Sequence, residues 1–133
     1  MDVLLSIKPI FANRIFAGTK GFEFRRAIFK RTDVSRIVVY SSSPVQKLVG
    51  EFLIGQILTE SPERLWQQTR QQAGVSRAFF FEYFAARSVG HAITVIAPIL
   101  YPTPVDPCSI IDGFRAPQSF MYLPSDLLPR GRL

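Results

Sequence analysis

The hydrophobic pattern of the chain switches several times between runs, alternation and helical spacing. Val3-Leu4-Leu5-Ser6-Ile7 is a short apolar run rich in branched residues, which predicts a buried strand. Pro9 then suits a first helical turn, where its missing N–H costs nothing. Ile7, Phe11 and Ile15 form a stripe at i, i+4, i+8, and Gly18 fits the residue just past a helix end, so the spacing predicts a helix over 9–17. Next the pattern alternates: Phe22 and Phe24 point one way, Glu23 and Arg25 the other, as in a half-buried strand.

Residues 36–42 contain Ile37-Val38-Val39-Tyr40 and read as a further strand, followed by a turn at Ser41-Ser42-Ser43-Pro44. Residues 47–58 form a long apolar strand marked by Gly50 and Gly55, residues that signal a bulge or a close backbone approach. Ser61-Pro62-Glu63 is a helix start, with Leu65, Trp66 and Thr69 on one face and Gly74 as the stop. Ser76 caps a second helix from Arg77 to about Ala86. This helix carries Phe79, Phe80, Phe81, Tyr83 and Phe84. These rings either plug the core or offer a stacking platform for bases, and the platform requires at least two of them exposed. Residues 89–100 predict a late strand, with Pro98 at a bulge or edge, and His91 in it reads as structural. The proline-rich stretch from Tyr101 reads as surface loops, with Phe120-Met121-Tyr122-Leu123 as a last strand. Residues 124–133 read as a flexible tail, frayed from Pro129 onward.

The order β-α-β-β-β-α-α-β-β contains no recurring βαβ run, which disfavours a doubly wound parallel sheet. It predicts an α+β fold built on a small mixed β-barrel with helices around it. At 133 residues the chain is one domain, assigned here to 1–123, and with 47% hydrophobic residues it can bury one modest core. No apolar stretch approaches the roughly 20 residues of a membrane span. Cys108 and His91 are each the single residue of their type, which leaves no internal disulfide and no Cys/His metal cluster. The start of the chain lacks the pattern of a secretory signal, so a cytoplasmic location is expected, with no metal and no cofactor.

The net charge of +6 is unevenly placed. Residues 1–50 hold nine basic and three acidic side chains, while residues 51–133 hold seven of each. Such asymmetry fits a polyanionic partner, nucleic acid first, or else a solvated basic face that keeps the protein soluble.

Gly18-Thr19-Lys20-Gly21-Phe22-Glu23-Phe24-Arg25 has the pattern G-x-K-x-x-E-x-R. With Ser6-Ile7-Lys8-Pro9 before it, it resembles the ASCH domains of the PUA-like superfamily, in particular stand-alone PUA-like predicted transcriptional regulators. Val39-Tyr40-Ser41-Ser42-Ser43-Pro44, Val49-Gly50-Glu51-Phe52 and Ala116-Pro117-Gln118-Ser119-Phe120 extend the resemblance over roughly residues 3–123. The resemblance implies a small barrel with a cleft beside the first helix, and RNA or a nucleobase-containing small molecule as ligand. Carried over, Lys8, Lys20, Glu23 and Arg25 sit at the cleft, Tyr40, Ser41 and Ser42 at its floor, and Gln118 and Ser119 at its closure. Arg26, Lys30, Arg31 and Arg36 then serve as contacts to a nucleic-acid backbone.

The chemistry of this group is coherent. Lys20 and Arg25 can hold a phosphate or a base carbonyl, and Glu23 can accept from an exocyclic amine. The structural alternative is an ion pair that only organises a barrel mouth. Three functions compete. One is a module binding RNA or a nucleotide derivative, acting in transcription- or translation-linked regulation. The second is an enzyme with Lys20 and Glu23 as its catalytic groups. As an enzyme it is an amidohydrolase acting on an acylated nucleoside such as N4-acetylcytidine, or a ribonuclease using Lys20, Tyr40 and Ser41. Against the amidohydrolase, Glu23 stands where that family has a threonine. The third is an interaction module docking a partner protein or a sister subunit through its aromatic helix or proline-rich tail.

Overall fold

A computed structural model describes residues 1–131. Its elements follow the predicted order: β1 (Asp2–Ile7), α1 (Pro9–Ala17), β2 (Phe22–Arg25), β3 (Arg36–Ser41), β4 (Lys47–Glu60), α2 (Pro62–Thr69), α3 (Arg77–Tyr83), β5 (Gly90–Val105) and β6 (Phe120–Leu123). The strands form one mixed sheet in the order β2-β5-β4-β3-β1-β6. Only β1 and β3 run parallel, and α1 and β2 form the connection between them. The fold is α+β, as expected.

The expected barrel does not close. β2 and β6 are four-residue strands at opposite edges of the sheet. Where a closing ladder would run, a side chain spans the gap instead. The Arg25 guanidinium donates to the backbone oxygens of Ser6 at 3.3 Å and Ser119 at 3.0 Å. Ladder pairing needs strands within about 5 Å, and an arginine reaches further than that.

Sequence signals account for the element ends. Gly18 adopts φ 83° beyond α1, a conformation cheap for glycine, and its N–H bonds back into the last turn. Ser61 and Ser76 cap α2 and α3 by accepting from Arg64 N and Phe79 N. β5 is longer than expected and runs through Pro98, Pro102 and Pro104 to Val105. It tolerates the prolines because its register against β4 slips where they fall. Leu53 faces Ile96 while Glu51 faces Ile99, which leaves one extra residue in β5 at Ala97–Pro98. A second slip, where Leu48 faces Val105 and Gly50 faces Leu100, takes in Pro102 and Pro104, and a third falls between Ile54 and Ile57, beside Gly55. At Gly50 the reason is a close approach. A Cβ there would lie 2.4 Å from the Phe16 ring and 2.5 Å from the Ile99 carbonyl oxygen.

Three apolar clusters hold the sheet and its helices. One packs α1 on the sheet through Ala12, Ile15, Val3, Leu5, Val39 and Phe52. Another packs the chain after β5 around Tyr40, Leu48, Tyr101 and Leu128. The last joins α2, α3 and β2 through Leu65, Phe80, Phe84 and Phe24. Among the described residues no helix is long and apolar enough to cross a membrane.

Within residues 124–131, Leu128 and Gly131 bond to the rest of the chain. Leu128 is buried, and its carbonyl oxygen accepts from Arg36 Nη2 at 2.6 Å. Residues 132 and 133 lie outside the described residues. Arg36 is expected above to contact nucleic acid, but it is buried and faces Asp2 and Glu51. Glu51 Oε1 also accepts from the Tyr101 hydroxyl at 2.9 Å and from Gly131 N at 3.0 Å. The cation is taken up by two buried carboxylates and cannot meet a phosphate. Removing it would strand both carboxylates in the interior, so Arg36→Met is expected to cost about 3–5 kcal/mol of stability in a denaturant titration. A loss under about 1 kcal/mol would mean that the cluster is open to water.

Candidate functional site

The end of β1, helix α1, strand β2 and helix α3 surround a cleft of about 620 Å³. Lys8, Phe11 and Lys20 line it from the α1 side, Glu23 to Arg26 from β2, and Phe79, Phe80, Tyr83 and Arg87 from α3 and beyond. Ser6, Gln118 and Ser119 complete it. Of the residues assigned to the ligand by resemblance, Lys8, Lys20, Glu23, Arg25, Gln118 and Ser119 are therefore brought together, and Arg26 joins them.

Lys20 owes its place to two backbone features. The turn after α1 folds back, with Thr19 N and Lys20 N both donating to the Arg14 carbonyl oxygen. Gly74 at φ 69° lets the chain after α2 pass against the lysine stem, where a Cβ would lie 2.5 Å from Lys20 Cβ. Lys20 is 2% exposed, and its Nζ donates to the Ala73 carbonyl oxygen at 2.9 Å. The ammonium lies 4.5 Å from the centroid of Phe24 and 5.5 Å from that of Phe11, so aromatic faces replace much of its water.

Glu23 and Arg25 share one face of β2 and pair, Nη1 to Oε2 at 3.1 Å. Arg25 also donates to the Ser119 hydroxyl at 2.9 Å, besides the two backbone oxygens it holds. Both of its Nη groups are therefore occupied by the protein itself. Arg26, one residue on, is exposed. Its Nε donates to the Tyr83 carbonyl oxygen at 2.8 Å, and its guanidinium carbon sits 4.3 Å from the Tyr83 ring centroid. Among the described residues its Nη groups have no partner.

Other predicted residues do not reach the cleft. Tyr40 is buried in the cluster after β5, with its ring 5.4 Å from that of Phe114. Ser41 is buried at the end of β3, and Ser42 N donates to the Ile7 carbonyl oxygen in the turn beyond it. All three lie on strand β3 or its turn, and the cleft borders β1 and β2 instead. The lysine-tyrosine-serine set considered for RNA cleavage is thus not assembled. Arg31 is exposed but bonded to Asp33 through Nε and Nη2. Lys30 is exposed, and its backbone N–H donates to the Tyr122 hydroxyl. Neither borders the cleft, because the chain between β2 and β3 turns toward β6 at this point. His91 faces the Thr59 hydroxyl at 2.9 Å and is also outside the cleft.

The aromatic run on α3 proves to be both core and lining. Phe80 and Phe84 are buried, while Phe79 is 38% exposed and Tyr83 half-buried. Phe11, Phe79, Tyr83 and Arg87 are lining residues that the sequence reading did not assign to the site. For Phe79 and Tyr83 the signal is the density of rings at positions 79–84. Among the described residues no group of three or more His, Cys, Asp or Glu is placed to hold a metal ion.

Burial lowers the Lys20 pKa from 10.5 to about 8, an effect that Glu23 opposes and Arg14 reinforces. Burial pushes Tyr83 and Tyr101 up from their ordinary value of 10.0. Between about pH 8 and 10 the unfolded lysine therefore binds a proton that the folded one has released. Stability rises with pH across that window and falls above it as the unfolded tyrosines ionise. Lys20→Met should flatten the rise between pH 8 and 10 in denaturant titrations. An unchanged slope would mean that the ammonium stays hydrated.

No protein-family model matches the chain. It is 30% identical over 122 residues to a Ureaplasma parvum protein named ATP synthase subunit alpha, covering 91% of this chain but 15% of that protein. Similarity to the large ribosomal subunit protein uL22 of the same organism is 26% over 125 residues and 39% of that protein. The chain thus spans well under half of both. It spans 84% of the ASCH domain-containing ribonuclease of Zymomonas mobilis subsp. mobilis, at 29% identity over 125 residues. The crystal structure of ASCH from Zymomonas mobilis matches 95% of this chain and 90% of its own, at TM-score 0.85 and 27% identity. A tyrosine-to-phenylalanine variant of that protein matches at the same TM-score. Agreement in sequence and in fold along nearly the whole length, on a chain carrying the G-x-K-x-x-E-x-R pattern, identifies this chain as an ASCH domain.

Proposed function

We propose that this ASCH domain binds RNA and takes a base-bearing unit into the cleft beside α1. The observation that carries the reading is the pairing of unlike groups in one hollow. Lys20 and Glu23 supply a donor and an acceptor at its inner end, aromatic rings supply apolar surface, and Lys8, Arg26 and Arg87 supply positive charge. A base needs hydrogen-bonding edges and a stacking face, while its phosphates need cations, and these needs differ enough that few other ligands satisfy all three. Glu23 Oε2 is taken by Arg25, which leaves Oε1 to accept from an amino or hydroxyl group of the guest.

A second reading, cleavage of the bound RNA, is favoured by the lowered basicity of Lys20 and by the ribonuclease name of the Zymomonas relative. An amine with a pKa of about 8 is partly neutral near neutral pH and can take the proton of a ribose 2′-hydroxyl. The 2′-oxygen then attacks the adjacent phosphorus, the bond to the 5′-oxygen breaks, and that oxygen leaves with a proton. The products are a 2′,3′-cyclic phosphate and a 5′-hydroxyl end.

Fluorescence anisotropy with a single-stranded RNA oligonucleotide tests the binding. Three phosphate contacts at the rim predict a loss of roughly twentyfold in affinity between about 50 and 200 mM salt. Glu23→Gln should weaken binding with little change in that salt slope. Affinity that ignores salt, or that is untouched by both Glu23→Gln and Lys20→Met, rules the reading out. For the cleavage reading, Lys20→Met should abolish product even at RNA concentrations that saturate the variant. Intact RNA after incubation with the unaltered protein dismisses cleavage alone.

A further inference from the structure

We propose that the outer edge of the cleft is a second base-stacking subsite, formed by Phe79 and Tyr83 and flanked by Arg26. It takes the base next to the one held inside. This rests on the RNA reading above and adds to it a minimum ligand of two linked nucleotides.

The rings carried by α3 differ in exposure. Phe80 and Phe84 are buried in the core, with Phe80 also reaching the cleft wall, whereas Phe79 and Tyr83 line the cleft with part of their surface open, Tyr83 packing against the core with the rest. Phe79 is 38% exposed, the most open ring of the lining. The two rings are nearly parallel, at 9° between planes and 6.2 Å between centroids. They are also held in place. The Tyr83 hydroxyl donates to the Phe24 carbonyl oxygen at 3.2 Å, and Phe79 leans on Phe11 with centroids 5.1 Å apart. A stacking surface already fixed by its neighbours loses little entropy when a base lands on it.

Arg26 completes the subsite. Its Nε bond to the Tyr83 carbonyl and its position over the Tyr83 ring lock the guanidinium. Its Nη groups, without partners among the described residues, remain available to a phosphate, for which a planar fork is well shaped. Arg25, one residue earlier, has both Nη groups engaged and cannot do this. A base inside, a phosphate at Arg26 and a base on Phe79 is the repeat of a single strand. A protein partner is less well served, since one exposed ring is far smaller than a docking patch.

The test compares 2′-O-methyl adenosine monophosphate with the 2′-O-methyl adenylyl-adenosine dinucleotide, by calorimetric titration. The methyl groups prevent cleavage. The unaltered protein should bind the dinucleotide about tenfold more tightly, the size of one base stack. Phe79→Leu should remove that gain, lowering dinucleotide affinity about tenfold more than mononucleotide affinity. Arg26→Gln, an exposed change that leaves the core intact, should also lower dinucleotide affinity. Equal affinity for the two probes, or equal loss for both on Phe79→Leu, overturns the subsite and leaves the RNA reading standing. If neither probe binds, the RNA reading and the subsite fall together.

Discussion

The architecture turns on a single guanidinium. The edges β2 and β6 of the six-stranded sheet are not paired with each other. Arg25 bridges the opening with bonds to Ser6 and Ser119 and holds Glu23 with what remains. Had the ladder closed, backbone would fill the space where the cleft now lies. A long side chain ties the edges while leaving room between them, so the same residue secures the fold and keeps the cleft open.

Lys20 sits in that room under conditions unusual for an ammonium. Its stem is clasped by Gly74, its charge rests against Phe24 and Phe11, and its ammonium donates to the Ala73 carbonyl oxygen. Glu23 is close enough to offset part of the burial cost, yet the two form no ion pair among the described residues. Pairing them directly would have neutralised both groups. Held apart, each keeps hydrogen-bonding capacity that the other does not use.

Much of this was legible in the residues themselves. Alternation at 22–25, the stripe through Phe11 and Ile15, and the serine caps at 61 and 76 each report a local preference that the fold obeys. The G-x-K-x-x-E-x-R pattern located Lys20, Glu23 and Arg25 because a helix-to-strand turn brings neighbours in sequence together in space. What escaped depends on distance along the chain. The fate of Arg36 is decided by Asp2, Glu51 and the carbonyl of Leu128, and that of Tyr40 by Phe114. No local period announces such partners. Sheet closure was misjudged for the same reason, since it depends on how far strand twist accumulates across six strands. The rings of α3 were ambiguous because a run of aromatics has no polar face from which to read its orientation.

That two-sidedness of α3 separates two kinds of constraint on one short helix. Phe80 and Phe84, four residues apart, carry packing; Phe79 and Tyr83, also four apart, border the cleft. Exchanging Phe79 alters the cleft wall while Phe80 and Phe84 stay packed, whereas Tyr83 serves both sides. The cleft wall can therefore be remodelled at one half-open position without compensating mutations in the interior.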